Sequence, residues 1–163
     1  MINFHDVKSD GDLEKIEIMA HTIWHEHYTP IIGTEQVNYM LDKFQSVKSM
    51  RDQINLGYQY FLINLNENAV GYLSFEKREQ ALFLSKIYLL KEKRGLGIGR
   101  KAMEFVTSAA KGLSCEKVTL TVNRFNQNSI KAYKRAGFEK KGELVQDIGN
   151  GFVMDDYLME KKV

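Results

Sequence analysis

The chain has 163 residues, 44% of them hydrophobic and 27% charged, which is the length and balance of one globular domain and excludes a disordered or fibrous chain. Its 23 basic residues are nearly matched by 21 acidic ones, so the net charge of +2 supplies no broad basic footprint for nucleic acid. A lone cysteine, Cys115, excludes an internal disulfide; with no basic-then-apolar leader and no apolar run near the ~18 residues of a membrane span, a cytoplasmic protein without membrane contact is expected.

Ile2 to Val7 alternates as a strand, and Ser9, Asp10 and Asp12 offer N-caps for the helix that follows. Leu13, Ile16, Ala20, Ile23 and Trp24 form its apolar stripe, and Pro30 with Gly33 is expected to break it. A second helix starts at Thr34 and carries Val37, Met40, Leu41 and Phe44. A third runs from Ser46 to Leu56 and stops at Gly57. Tyr58 to Leu65 and Ala69 to Phe75 then read as strands around the turn-prone stretch 64–68. A third strand, Leu82 to Leu90, follows the charged tip Glu76–Gln80. Gly99 to Leu113 is helical through Ala102, Phe105, Val106 and Ala109; Lys117 to Val122 is a strand; Asn126 to Ala136 is a helix stopped by Gly137. Phe138 to Ile148 and Phe152 to Val163 flank Gly149-Asn150-Gly151, a hairpin turn. The alternation predicts an α/β chain with a mixed sheet and helices on both faces. No internal repeat and no proline-rich linker divides it.

Chemistry concentrates at Lys93-Arg94-Gly95-Leu96-Gly97-Ile98-Gly99-Arg100, between an apolar strand and an amphipathic helix. Glycine at alternate positions lets the backbone bend sharply and approach a ligand. The free N–H groups and dipole of the following helix suit an anionic phosphate, and Arg94 and Arg100 add charge. The dinucleotide fingerprint needs its third glycine one residue later, and the GxxxxGK[ST] loop is absent. Without a ligand, the same loop is a glycine turn closing a strand–helix corner.

The spacing of Arg94, Gly97 and Gly99, after a strand and before a helix, resembles the coenzyme A loop of the GNAT superfamily of N-acetyltransferases. Asn126, then a helix with Tyr133, then Gly137-Phe138 is similar to the closing motif of that family, although the family often has alanine where this chain has Ser129. Both stand in the family's order, and the likeness covers residues 58–162. It implies a single α+β domain over 1–163, with a mixed, mostly antiparallel sheet of about seven strands. Residues 1–57 would form the first strand and acceptor-side helices, and 58–163 the coenzyme A-binding core. The implied reaction moves an acetyl group from acetyl-CoA to a primary amine by direct attack in a ternary complex.

By that resemblance, backbone groups of Ile87, Tyr88 and Leu89 would hold the pantetheine arm, and Arg94, Gly95, Leu96, Gly97, Ile98, Gly99 and Arg100 the pyrophosphate. Asn126 and Tyr133 would face the thioester, with Tyr133 as general acid to the departing thiolate. As plain structure, Tyr133 would pack its helix on the sheet and Asn126 would cap that helix. For the general base, Glu76, Ser85 and Glu26 are candidates of equal standing. His21, His25, His27 and Glu26 lack a third ligand in any known metal pattern, so no metal is expected and these residues read as solvated helix surface. Cys115 reads as a small packed side chain entering a strand.

Trp24, Tyr28, Gln36, Tyr39-Met40-Leu41 and Gln53 are similar to residues of bacterial polyamine acetyltransferases. Trp24 and Tyr28 would then border a cleft for the cationic acceptor, or else simply pack the helix pair. The expected acceptor is a small amine; a protein N-terminus or lysine, and a non-catalytic acyl-CoA-binding module, stand as alternatives. Homodimers are common among similar proteins.

Overall fold

In the strand Lys117–Asn123, Val118, Leu120 and Val122 are buried while Thr119, Thr121 and Asn123 alternate to the other side. A period of two puts one set on each face of a sheet, so the order apolar–polar decides which face a helix covers. The computed structural model describes residues 1–163 and extends that two-faced logic to the whole chain. Its elements are β1 (Ile2–Asp6), α1 (Asp10–Ile32), α2 (Thr34–Gln45), α3 (Val47–Asn55), β2 (Gln59–Leu65), β3 (Asn68–Arg78) and β4 (Ala81–Leu89). A short 3₁₀ turn at Lys91–Lys93 leads to α4 (Ile98–Gly112), β5 (Lys117–Asn123), α5 (Gln127–Arg135), β6 (Glu139–Gly149) and β7 (Phe152–Lys162).

The strands form one seven-stranded sheet in the order β1-β2-β3-β4-β5-β7-β6. Every pairing is antiparallel except β4 with β5. That parallel pair needs a crossover, which α4 supplies. One face carries a core of Phe61, Leu73, Leu82, Leu84, Val118 and Leu120 against Ala102, Val106 and Ala110 of α4 and Ile130 of α5. The other carries Tyr60, Leu62 and Tyr72 against Leu13, Ile16, Ile23 and Trp24 of α1, Leu41 of α2 and Met50 of α3. Each fully buried aliphatic side chain of this kind contributes about 1.5–3 kcal/mol. Cys115 is buried in the first of these cores, as expected of a packed thiol.

Two expectations need correction. Pro30 does not break α1, which runs through it to Ile32 and ends where Gly33 turns to φ +86°. Proline here falls in the last turn, and the Gly33 amide still reaches the Thr29 carbonyl at 3.0 Å, so little of the ladder is lost. The charged stretch Glu76–Arg78 is not a loop: it continues β3, with Glu76 opposite Phe83 and Arg78 opposite Ala81. Charged side chains suit this strand end because the Arg78 guanidinium carbon sits over the Phe83 ring, 3.9 Å from its centroid.

Candidate active site

β4 and β5 pair only from Ala81 opposite Lys117 to Phe83 opposite Thr119. Beyond that point they part, and from Leu84 onward the β4 edge facing β5 has no strand partner. A bulge helps: Ser74 of β3 faces Lys86 and Phe75 faces Leu84, leaving Ser85 as the extra residue. Such a bulge bends its strand and increases local twist. Farther along, Gly71 of β3 lies so close to β4 that a Cβ would stand 2.3 Å from the Tyr88 carbonyl oxygen. Glycine is needed there.

Two cavities open from the parting, on opposite sides of the sheet. The first, about 350 Å³, is bordered by Ile87, Tyr88 and Leu89 of β4, Arg94, Gly99, Asn126 and Tyr133. At its mouth Gly97 takes a left-handed conformation (φ +80°) and no side chain caps α4, so the N–H groups of Ile98, Gly99 and Arg100 lack partners within the helix. Gly95 is also left-handed at φ +78°. Arg94 reaches back to the Leu89 carbonyl at 3.3 Å. This corner has the donors and positive field that a pyrophosphate requires. Gly95, Leu96 and Gly97 are exposed, whereas the Ile98 side chain is 1% exposed and belongs to the core. Only the backbone of Ile98 is free to serve a ligand. Arg100 borders a separate hollow of about 720 Å³ between α4 and α5, which Ile87 and Tyr133 also reach.

The Tyr133 hydroxyl makes no hydrogen bond to the protein, and the ring packs edge-on to Phe138 with centroids 5.7 Å apart. Burial first, and then the neighbouring Tyr28, push its hydroxyl well above the ordinary tyrosine range, so it holds its proton at neutral pH. Asn126 caps its helix, as the plain structural reading expects. Its side chain caps α5 through the Ser129 amide and bonds the His27 ring at 2.9 Å. His27 is therefore not solvated helix surface: it reaches from α1 into the cavity, with its pKa lowered by burial and by Arg94. No group of three or more His, Cys, Asp or Glu side chains is arranged to hold a metal ion.

The second cavity, about 670 Å³, lies over Thr119, Thr121 and Asn123 of β5 and Asp156 of β7, under a wall that includes Trp24, Tyr28 and Gln36. The β6–β7 hairpin closes one end of it. There the Tyr39 hydroxyl donates to the Ile148 carbonyl at 2.6 Å, Lys43 donates to the same oxygen, and the Gln36 amide donates to the Val153 carbonyl at 2.8 Å. Trp24 is 3% exposed and spends its indole N–H on the Tyr72 hydroxyl at 3.0 Å. Tyr72 in turn donates to Gln45, which donates to Tyr60. Trp24 is thus a fixed wall. Tyr28 is nearer to both cavities, held by a 2.9 Å hydrogen bond to the Tyr88 hydroxyl, and burial pushes its pKa to about 12. Tyr28, Ser85, Lys86, Tyr88 and Thr121 border both cavities, so the two meet through the parted sheet.

Asp156 is the residue that motif reasoning misses. It is 4% exposed, lies on the floor of the second cavity and forms no ion pair. Burial, and then Asp155, raise its pKa to about 6, against a lowering hydrogen bond from Thr121. The only sequence signal was the doublet Asp155-Asp156 in an otherwise alternating strand. Of the three base candidates, Glu76 is held by Arg78 at 3.0 Å, Ser85 accepts from Lys86 at 2.9 Å, and Glu26 is exposed outside both cavities.

The sheet parted beside its parallel pair thus has a helix start with free N–H donors on one side and a polar cleft on the other. The chain belongs to the acetyltransferase (GNAT) family, whose model matches residues 19–138. Its fold is similar to the PaiA N-acetyltransferase of Thermoplasma acidophilum solved in complex with coenzyme A, at TM-score 0.84 and 21% identity over 100% of this chain and 99% of that one. It is also similar to a chimera of spermidine N-acetyltransferase SpeG from Vibrio cholerae and hSSAT, at TM-score 0.73 and 17% identity over 99% and 94% of the two chains. A third similar structure is a GNAT family acetyltransferase from Elizabethkingia anophelis with acetyl-CoA bound, at TM-score 0.65 and 14% identity over 99% and 98%. The mostly antiparallel seven-stranded sheet with helices on both faces agrees with the fold expected from sequence.

Proposed function

We propose that this protein transfers the acetyl group of acetyl-CoA to the primary amine of a small molecule, by direct attack within a ternary complex. The observation that carries this reading is the meeting of the two cavities through the gap between β4 and β5. The residues present fit the coenzyme. The uncapped start of α4 and Arg94 suit its pyrophosphate, and the unpaired edge of β4 at Ile87–Leu89 suits an extended amide-bearing arm.

Bound acetyl-CoA supplies a thioester: the amine nitrogen bonds to the carbonyl carbon as the carbon–sulfur bond breaks. Tyr133, protonated and free of protein partners, gives a proton to the sulfur. Asp156 accepts the proton that the amine sheds, its carboxyl being poised near neutral pH. The walls of both cavities hold the reactants in line, which is itself a large part of such catalysis.

The closed end of the second cavity supports a small acceptor over a protein one, because a peptide needs an open groove. The wall of Trp24 and Tyr28 suits a cation, and a polyamine falls within the class. Release of free thiol from acetyl-CoA, followed with a panel of amines and amino-terminal peptides, tests the reading. An amine-dependent rate that drops by about 10²-fold in Tyr133→Phe is expected. Binding of the coenzyme with no rise in release for any amine would leave an acyl-CoA-binding module instead.

A further inference from the structure

The second cavity holds charges of both signs, and most of them already have partners. Arg78 is bonded to Glu76 and to the Tyr58 hydroxyl, and it stacks on Phe83. Lys43 donates to the Ile148 carbonyl. Glu160 pairs with Lys117 at 3.1 Å, and Asp147 accepts from the Gly149 amide at 2.8 Å. Lys43 and Asp147 are thus tied to the backbone of the β6–β7 hairpin, outside any ion pair. Asp156 and Lys86 are also in no ion pair, and each meets only one hydroxyl, that of Thr121 or of Ser85.

Lys86 comes from β4, immediately after the bulged Ser85, and is part-buried on the cleft side of the sheet. Its ammonium touches only neutral groups: the Ser85 hydroxyl at 2.9 Å and the Tyr60 ring, 5.8 Å from its centroid. Burial lowers its pKa to about 8, the mark of a cation without an anion to hold it. Asp156 lies on β7, opposite Asn123 of β5. β5 stands between β4 and β7 in the sheet, and at this level β4 has already parted from it, so the two side chains rise from strands more than two regular spacings (about 10 Å) apart. They flank the place where β4 and β5 part. An unpaired anion on one wall and an unpaired cation on the other form a bipolar site.

Resting on the reading of this cleft as the acceptor site, we propose that the acceptor is zwitterionic: a small primary amine that also carries a carboxylate, as an amino acid does. Asp156 takes its amine end and Lys86 its carboxylate end. A polyamine would bring a second ammonium against Lys86, and like charges in a part-buried cleft repel.

Matched acceptors of equal length test this directly. γ-Aminobutyrate, butylamine and putrescine differ only in the end remote from the reacting amine, and β-alanine with propylamine repeats the comparison one carbon shorter. From thiol release at saturating acetyl-CoA, kcat/KM is expected to be ~10–100-fold higher for the amino carboxylates than for the plain amines or the diamine, the range of a charged hydrogen-bonded contact. In Lys86→Met, whose straight apolar stem fits beside Tyr60, that ratio falls to near one; in Lys86→Arg part of it survives. The wild-type ratio needs no variant to fold. Putrescine or butylamine serving as well as γ-aminobutyrate overturns the proposal. So does a ratio that persists in Lys86→Met, or a variant defect confined to the KM of acetyl-CoA, which would assign Lys86 to the coenzyme. Thiol release with none of these or any other amine would sink the acetyltransferase reading itself, a different failure with a different signature.

Discussion

The two sides of the parted sheet present different kinds of group to their cavities. On the α4–α5 side the groups facing the cavity are largely backbone: the unpaired edge of β4, the left-handed Gly95 and Gly97, and the uncapped N–H groups of α4. On the α1–α3 side they are side chains: the linked Tyr28 and Tyr88 hydroxyls, the fixed Trp24 wall, and the unpaired Lys86 and Asp156. Backbone groups read a shape and a charge that never change, which suits a carrier common to many reactions. Side chains are replaced one at a time, which suits an acceptor that differs from enzyme to enzyme. Sequence separation follows the same division. The α4 corner comes from one stretch of ten residues or so, whereas the closure of the cleft joins Gln36 to Val153 across 117 positions.

The comparison breaks most visibly at Asp156. Asp156→Asn is expected to lower kcat by ~10²–10³-fold with any amine while leaving binding of the coenzyme intact, the usual scale of one acid–base group. In the unmodified enzyme, kcat/KM rises with pH through about 6 as the carboxyl ionises. The variant lacks that limb and keeps only the rise due to the acceptor's own amine. Stability moves the opposite way. A carboxyl whose pKa is raised on folding, here from 3.8 to about 6, costs stability once pH exceeds the unfolded value, and the cost is complete above the folded one. Asp156→Asn should therefore melt higher than the parent at pH 7, with the difference gone near pH 4. A variant as active as the parent would remove Asp156 from the reaction.

A smaller effect belongs to the coenzyme side. Gly97→Ala forces a Cβ into the left-handed region, at a cost of about 1–2 kcal/mol. It should weaken coenzyme affinity by ~10-fold, measured by calorimetry, with little change in the preference among acceptors. A changed acceptor preference would mean that the two sides are not separable. The smallest effect is at the hairpin: Tyr39→Phe removes the donor to Ile148 and should cost about 1 kcal/mol in denaturant unfolding. It should also raise the KM of the acceptor, not that of acetyl-CoA.

Much of the coenzyme half was legible because its signals are local. A glycine spacing before an amphipathic helix, and an asparagine seven residues ahead of a tyrosine, depend on neighbours within a turn or two. The same locality explains the errors. Pro30 looks like a helix break because sequence shows the missing donor but not how near the helix end lies. Glu76–Arg78 looks like a loop because charge masks a strand that Phe83 and Ala81 hold in register. His27 looks like solvated surface since nothing local reveals Asn126 beside it, 99 residues away.

The sequence by itself determined the element order, the two-faced sheet, the glycine-rich strand–helix corner and the place of Tyr133 on its helix, since each rests on periodicity or on backbone chemistry that a short window contains. Only the tertiary structure decided which charges go unpaired. Glu76, Glu160, Asp147 and Asp156 are equivalent carboxylates in a string of letters, and Lys43 and Lys86 equivalent amines. Packing gave Glu76 and Glu160 ion-pair partners and tied Lys43 and Asp147 to the hairpin backbone, while Asp156 and Lys86 meet only the hydroxyls of Thr121 and Ser85, because burial and pairing are set by long-range contacts that no local pattern encodes.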